Sequence, residues 1–313
     1  AGSSAADADL VGIDLLPMLY AQDVVVASRR MRDSLQGGAS PGALRFVRRD
    51  GELVELTRTL WRSHMGPMVN LPLMGWGTEV AFTYRDANLD NTAVLRQFLE
   101  MDKATTMEEF QAVFAEVQGM PWVNTLAADR TGRAWYIDGS ATPNISPAAQ
   151  ERFRARVKDD FVAAMLYEIR VALLDGSDPD DEWIEVDGAR SPGLIPYTAV
   201  PQLERRDYVV NANDSHWLTN ADEPLEGYSP LHGFERAAPT PRTRQNQLVA
   251  KALAATGEAT VDTVLDALFD NASLTADLLL DAVVERCRAA GSVEDVDLVA
   301  AADVLARWDR RAD

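Results

Sequence analysis

An α+β fold is predicted by three features of this sequence. β-type runs punctuated by tight-turn residues occupy much of the span from 44 to 137, four helical patterns follow one another from Arg244 to the end, and no internal repeat or long low-complexity tract separates the two regions. The chain reads as a single body over residues 1–313: about 1–43 are hard to assign, 44–220 are mixed β and α, and 221–313 are mainly helical.

Within 1–43, Val24-Val-Val26 can form a short strand and Gln36–Gly42 is a loop by its glycines and proline. Leu44–Arg49 and Glu52–Trp61 flank Asp50-Gly51, the signature of a hairpin. Glu79–Tyr84 predicts another short strand. Residues 92–118 read as helical. Thr106-Met-Glu-Glu109 fits a capping box, in which the Thr hydroxyl accepts from the Glu109 amide and the Glu109 side chain returns the bond. Phe110, Val113, Phe114 and Val117 then recur at helical spacing, and Gly119 fits the stop. Trp122–Ala128 and Ala134–Ile137 are strands around the turn Asp129-Arg-Thr-Gly132. Residues 148–174 predict a helix. Asp175–Glu182 predicts a solvated acidic loop whose spacing does not match a calcium-binding loop, and Asp207–Ala212 a β-like run. The last helices are expected at 244–255, 261–270, 274–290 and 293–310, with Ser292 capping the final one.

Composition narrows the function. With 30 Lys and Arg against 49 Asp and Glu, the net charge of −19 argues against a nucleic-acid partner, which needs clustered cations to displace counterions, and against adhesion to an anionic membrane. No run of about 18 apolar residues is present to span a bilayer. The single Cys287 allows no disulfide within these residues and excludes metal motifs built on two thiolates. His64, His216 and His232 lie far apart without an HExxH, which counts against a metal-dependent amidase. No metal site and no cofactor is expected, a structural calcium ion being compatible but not indicated.

Two segments stand out chemically. Val210-Asn-Ala-Asn-Asp-Ser-His-Trp-Leu-Thr-Asn220 follows the β-like run and concentrates three Asn, an Asp, a Ser and a His. A side-chain amide fixed at a strand end can donate to an oxyanion that develops during acyl transfer. An Asn-rich turn bonding its own backbone is the other reading of the same residues. Arg236–Arg244 stands before a helix, where a cation opposes the macrodipole. An arginine there can orient a substrate carboxylate or hold the Asn loop. Ser63 and His64 invite a nucleophile–base reading, but adjacent strand residues face opposite ways, so a structural role is favoured. Asp129 and Asp138 suit turn chemistry, and Trp76, Trp122, Trp135 and Trp183 suit the core.

In order, Ser63-His-Met-Gly-Pro67, Tyr84–Asn91, Gly119-Met-Pro-Trp-Val-Asn-Thr125, Ala128–Tyr136, Asn211–Asn220 and Arg242-Thr-Arg244 resemble the penicillin acylase family of N-terminal nucleophile amidohydrolases. Within it the sequence is most similar to the acyl-homoserine lactone and aculeacin A type acylases. The resemblance implies an αββα-type fold in which this chain is a section of the β subunit. It also implies a precursor that cleaves itself into α and β subunits. The new N-terminal serine then attacks an amide, with its own α-amino group as base. The oxyanion asparagine of that family falls on Asn213, and the supporting arginine on Arg242 or Arg244. By resemblance the site of action is extracellular or periplasmic.

The sequence departs from that family at its start. Ala1-Gly-Ser-Ser shows neither Ser-Asn followed by a hydrophobic strand nor a His about twenty residues on, and Ser3 and Ser4 are not N-terminal. The nucleophile, the α subunit and part of the acyl pocket are therefore expected on other polypeptide, with which this chain partners to act on an N-acyl small molecule. The chain alone is expected to be inactive. A non-catalytic acidic binding or scaffold module that keeps the acylase fold is the alternative.

Overall fold

The computed structural model describes residues 42–47, 53–58, 61–70, 74–290 and 296–312. They divide into two compact units, 1–90 and 91–313. In the first, β1 (Gly42–Val47) and β2 (Leu53–Arg58) pair antiparallel with Val47 opposite Leu53. The predicted hairpin strands are therefore present, and their Asp50-Gly51 turn lies outside the described residues, as do Val24–Val26. The strand expected over 79–84 shrinks to β4 (Phe82–Thr83), which pairs with β3 (Met68–Val69). The early part of that run is used in a turn instead, the Gly77 amide donating to the Val80 carbonyl at 2.8 Å. Gly66 meets a close approach: a Cβ there would sit 1.9 Å from the Tyr84 carbonyl oxygen.

The second unit is organised by an antiparallel sheet of β5 (Asn124–Ala128), β6 (Ala134–Asp138) and β7 (Gln202–Arg205), with β6 in the centre. The β5–β6 turn forms as predicted. The Thr131 and Arg133 amides donate to Asp129 Oδ1 at 2.8 and 3.1 Å, and Gly132 supplies the positive φ of 82°. Side chains alternate across β6, so one strand serves two cores. Trp135 and Ile137 pack with Met107, Phe114, Met120 and Val200 on one face; Tyr136 packs with Leu203 and Leu225 on the other. Trp135 is thus core as expected, whereas Trp122 is 74% exposed and Trp76 also lies at the surface.

The helices before the sheet are α1 (Val94–Lys103) and α2 (Met107–Val117). Thr106 caps α2 by accepting from the Glu109 amide at 3.2 Å, but Glu109 returns its bond to the Thr105 amide at 2.7 Å, one residue earlier than predicted. The left-handed stop is also displaced, to Gln118 at φ 48°, whose own Nε2 donates to the carbonyls of Ala115 and Gly188 at 3.2 and 2.8 Å. Gly119 serves a different need, since a Cβ on it would come within 2.6 Å of the Ala93 carbonyl oxygen.

The single helix predicted over 148–174 is two, α3 (Pro147–Asp159) and α4 (Phe161–Glu168). Asp160 makes the break: its Oδ1 accepts from the Val162 and Ala163 amides at 2.7 and 3.1 Å, starting a new helix. Asp160→Ala is expected to cost about 1 kcal/mol, measured by chemical denaturation; unchanged stability would remove this capping role.

The acidic segment 175–182 is not wholly solvated. Asp181 is buried, accepting from Arg152 Nη2 at 2.5 Å and from the Asp175 amide at 3.0 Å. The β-like run 207–212 forms no strand: Arg205 of β7 already pairs with Ala134, the first residue of β6, so the chain beyond it has run past the end of its partner strand. Asp207 turns the chain away by binding Arg205 at 2.8 and 2.6 Å and the Tyr208 amide at 2.8 Å.

The remaining helices are α5 (Pro241–Thr256), α6 (Val261–Phe269), α7 (Leu274–Ala290) and α8 (Val296–Leu305). α5 begins three residues before the expected Arg244. Thr240 accepts from the Thr243 amide at 3.1 Å, and Pro241 sits in the first turn, where its missing N–H costs nothing. The predicted cap Ser292 lies outside the described residues. Leu280, Val284 and Ala302 form the core of this part. The architecture is α+β, with less strand in the first half than the sequence predicts. Among the described residues no helix is long and apolar enough to cross a membrane.

Candidate active site

The loop that follows β7 contains both behaviours expected of the Asn-rich segment, divided among its residues. Asn211 performs turn chemistry: its Oδ1 accepts from the Asn213 amide at 2.8 Å, and its Nδ2 donates to the carbonyls of Asp214 and Ser215 at 3.3 and 3.5 Å. Asp214 Oδ1 accepts from the Ala212 amide at 3.2 Å. Asn220 is buried, donating to the Tyr208 carbonyl at 3.0 Å and accepting from the Asp222 amide at 2.9 Å. Asn213 differs from both. It is exposed, and its backbone is left-handed at φ 61°, a conformation Asn tolerates better than other residues with a Cβ.

Arg242, in the first turn of α5, reaches this residue. Its Nη1 donates to Asn213 Oδ1 at 3.1 Å, and its Nη2 donates to the Ala212 carbonyl. The two acceptors offset the unfavourable placement of a cation at a helix N-terminus. They also orient the amide: with Oδ1 engaged, Asn213 Nδ2 makes no hydrogen bond among the described residues and is the group left to donate. The Arg244 side chain is exposed and makes no hydrogen bond among the described residues. The geometry therefore joins Asn213 to Arg242 and leaves Arg244 apart. Further along α5, Gln247 Nε2 donates to the Leu218 carbonyl and Lys251 binds Asp222 at 2.7 Å.

Beneath the loop lies a buried polar cluster that sequence reasoning did not assign. Ser215 caps a 3₁₀ turn at His216–Leu218, and its Oγ donates to the Phe234 carbonyl. His216 is fully buried, with Nε2 3.5 Å from Glu235 Oε1. The His232 side chain is buried as well, its Nδ1 3.2 Å from Thr142 Oγ1 and 3.9 Å from Asp138 Oδ2. Asp138 also performs the expected turn role, accepting from the Ser140 amide at 3.2 Å. The His216 and His232 rings stand edge to face, with centroids 6.2 Å apart. His216 lay in view inside the Asn motif, but its partners come from a Gly- and Pro-containing stretch without periodicity.

Burial pushes the basicity of both imidazoles below the ordinary histidine range. Asp138 and Glu235 oppose the shift at His216, Arg170 reinforces it there, and at His232 Asp138 opposes it and His216 reinforces it. Both rings are therefore held neutral in the folded chain. The unfolded chain takes up protons below about pH 6.5, where the folded one resists them, so stability is fully present above that pH and declines as pH falls. The melting temperature is expected to fall between pH 7 and 5, and His232→Gln to flatten that fall; an unaltered slope in the variant would contradict it.

His64 lies exposed in a bend, and Ser63 Oγ pairs with Thr83 Oγ1 at 2.9 Å, so these two form no nucleophile–base couple. Two shallow concavities, one beside Phe114, Ile137 and Tyr197 and the other along residues 185–192, do not include Asn213, Arg242 or Arg244. Among the described residues no group of three His, Cys, Asp or Glu is placed to hold a metal ion.

Comparison with known proteins bears on this site. The family model for penicillin amidase matches residues 37–313. The acyl-homoserine lactone acylase PvdQ of Pseudomonas syringae pv. syringae is 34% identical over 265 residues, covering 84% of this chain and 33% of that protein. The aculeacin-A acylase of Actinoplanes utahensis is 33% identical over 273 residues, covering 82% of this chain and 34% of that protein. The chain thus spans about a third of the length of these relatives. A thermostable penicillin G acylase from Alcaligenes faecalis superposes with a TM-score of 0.50 at 16% identity, over 87% of this chain and 42% of that chain, a likeness of fold.

Proposed function

This chain belongs to the penicillin amidase family, and from that membership we propose that it is a section of an acylase that hydrolyses the amide bond of N-acylated substrates, acyl-homoserine lactones or lipopeptides among them. Asn213 is its oxyanion donor and Arg242 the residue that orients it. One observation carries the assignment: the Asn213 oxygen is occupied by Arg242, which leaves the amide N–H group turned out from an exposed, left-handed position. A donor already oriented requires no reorganisation when the carbonyl oxygen becomes anionic.

The nucleophile is assigned to an N-terminal serine on polypeptide beyond this chain, acting with its own α-amino group as base. Two observations support a covering partner. The chain matches only about a third of its relatives' length. Its surface also carries large apolar side chains that water disfavours, among them Leu95 at 84%, Phe161 at 81% and Val261 at 76% exposure. The remainder of the acylase, including an α subunit, would bury them. The test is to express the full-length polypeptide and follow release of the fatty acid from an N-acyl-homoserine lactone and from a lipopeptide. Release of acid from either substrate is expected, and failure on both would overturn the reading.

A further inference from the structure

We propose that His216 and Glu235 are positioning residues for the reaction, holding the Asn213 donor in place from inside the protein while Arg242 holds it from outside. This rests on the assignment of Asn213 just made. Asn213 and His216 belong to one short loop but face opposite environments, one at the surface and the other fully buried. The bonds Asn213 and Asp214 make are to their own loop and to Arg242, a side chain itself exposed and rotatable. The residues that follow are anchored to the 226–236 segment one after another. Ser215 donates to the Phe234 carbonyl, His216 faces Glu235, and Trp217 Nε1 donates to Glu226 at 3.0 Å.

Glu235 is the centre of that seam. Its Oε1 accepts from the Tyr228 amide at 2.9 Å and lies 3.5 Å from His216 Nε2, while its Oε2 accepts from the Gly227 amide at 3.1 Å. One carboxylate therefore ties the Asn loop to a second loop. The two are in close contact, since a Cβ on Gly233 would come 3.0 Å from Ser215 Cβ. A neutral imidazole donating Nε2–H to this carboxylate gives the buried ring its hydrogen-bond partner, Nδ1 having none among the described residues. An apolar side chain at 216 would leave the carboxylate one donor short and free the seam to shift. Displacements of about 1 Å at a reacting group are enough to slow a reaction by about 10²-fold, and a loop still held by Ser215 and Trp217 should move less than that.

The test uses the full-length processed protein. His216→Leu is expected to lower kcat by about 10-fold with KM nearly unchanged, and His216→Gln, whose amide can still donate to Glu235, to recover most of the loss. Combining His216→Leu with Asn213→Ala should give an enzyme no slower than Asn213→Ala alone, because the histidine acts through the asparagine. Unchanged kcat in His216→Leu, or two losses that multiply in the double variant, would overturn the positioning role while leaving the oxyanion assignment standing. Normal activity in Asn213→Ala would instead remove that assignment, and this proposal with it. If His216→Leu does not fold, Glu235→Gln, which removes the carboxylate that His216 faces, takes its place in the same cycle with the same opposing outcomes.

Discussion

Asn213→Ala is expected to lower kcat by about 10²–10³, the loss that follows removal of one donor from an oxyanion hole, with KM changed little. The donor acts on the oxygen only as charge develops, so its removal raises the barrier without weakening ground-state binding. The backbone at this position complicates the choice of variant. At φ 61° an alanine carries a strain that asparagine tolerates better, so a modest fall in stability should accompany the kinetic effect. Asn213→Gly separates the two: it lacks the amide but accepts the conformation, so it should match the alanine variant in kcat with less loss of melting temperature. Asn213→Asp, of equal size, should be as slow or slower, because it offers a negative oxygen where a donor is required. Wild-type rates in the glycine and aspartate variants would remove Asn213 from the chemistry.

The second large effect is expected at Arg242. Its guanidinium binds the Asn213 side-chain oxygen and the Ala212 carbonyl together. Hydrogen bonds from a charged donor contribute about 1.5–3 kcal/mol, so Arg242→Ala should lower kcat by roughly 10- to 10²-fold on that scale. Arg242→Lys should recover only part of the rate, since an ammonium cannot reproduce the two-pronged contact. Arg244→Ala should stay within about twofold, as surface changes away from such contacts have little effect. A larger loss at Arg244 than at Arg242 would reverse the assignment. Both measurements belong with the full-length protein, where substrate turnover can be followed.

Much of the helical layout could be read from the sequence because its signals are local. Thr106 and Glu109 mark the start of α2, and apolar residues recur with helical spacing in the C-terminal part. The hairpin around Asp129–Gly132 was equally clear, since an aspartate that folds back on its own backbone and a glycine with positive φ dictate the turn by themselves. The misreadings have two physical origins, tertiary context at Asp207 and Asp181 and a local cap at Asp160. The apolar run after Asp207 has strand composition, but it lies past the first residue of β6, where the partner strand has ended. Asp160 looks like an ordinary residue of one long helix until its carboxylate is seen to start another. Asp181 looks solvated beside so many acids, yet it is the one that Arg152 draws inside.

The candidate site was half legible. Asn213 and the pair Arg242 and Arg244 were singled out by position in an ordered set of motifs, but two arginines two residues apart on a helix point about 160° apart, and only the packing of α5 along the loop selects between them. The cluster of His216, His232, Glu235 and Asp138 was invisible as a unit. Its members come from a strand end and two loops, a grouping that no periodicity reports.

The most direct test of the central claim is a crystal structure of the full-length processed protein bound to a tetrahedral mimic of the acyl intermediate, such as a boronate carrying a fatty chain. The distance to measure runs from Asn213 Nδ2 to the anionic oxygen of the mimic. It should be about 2.7–3.1 Å, with Arg242 still on the Asn213 oxygen; an Nδ2 turned away from that oxygen, with other groups donating to it, would contradict the account.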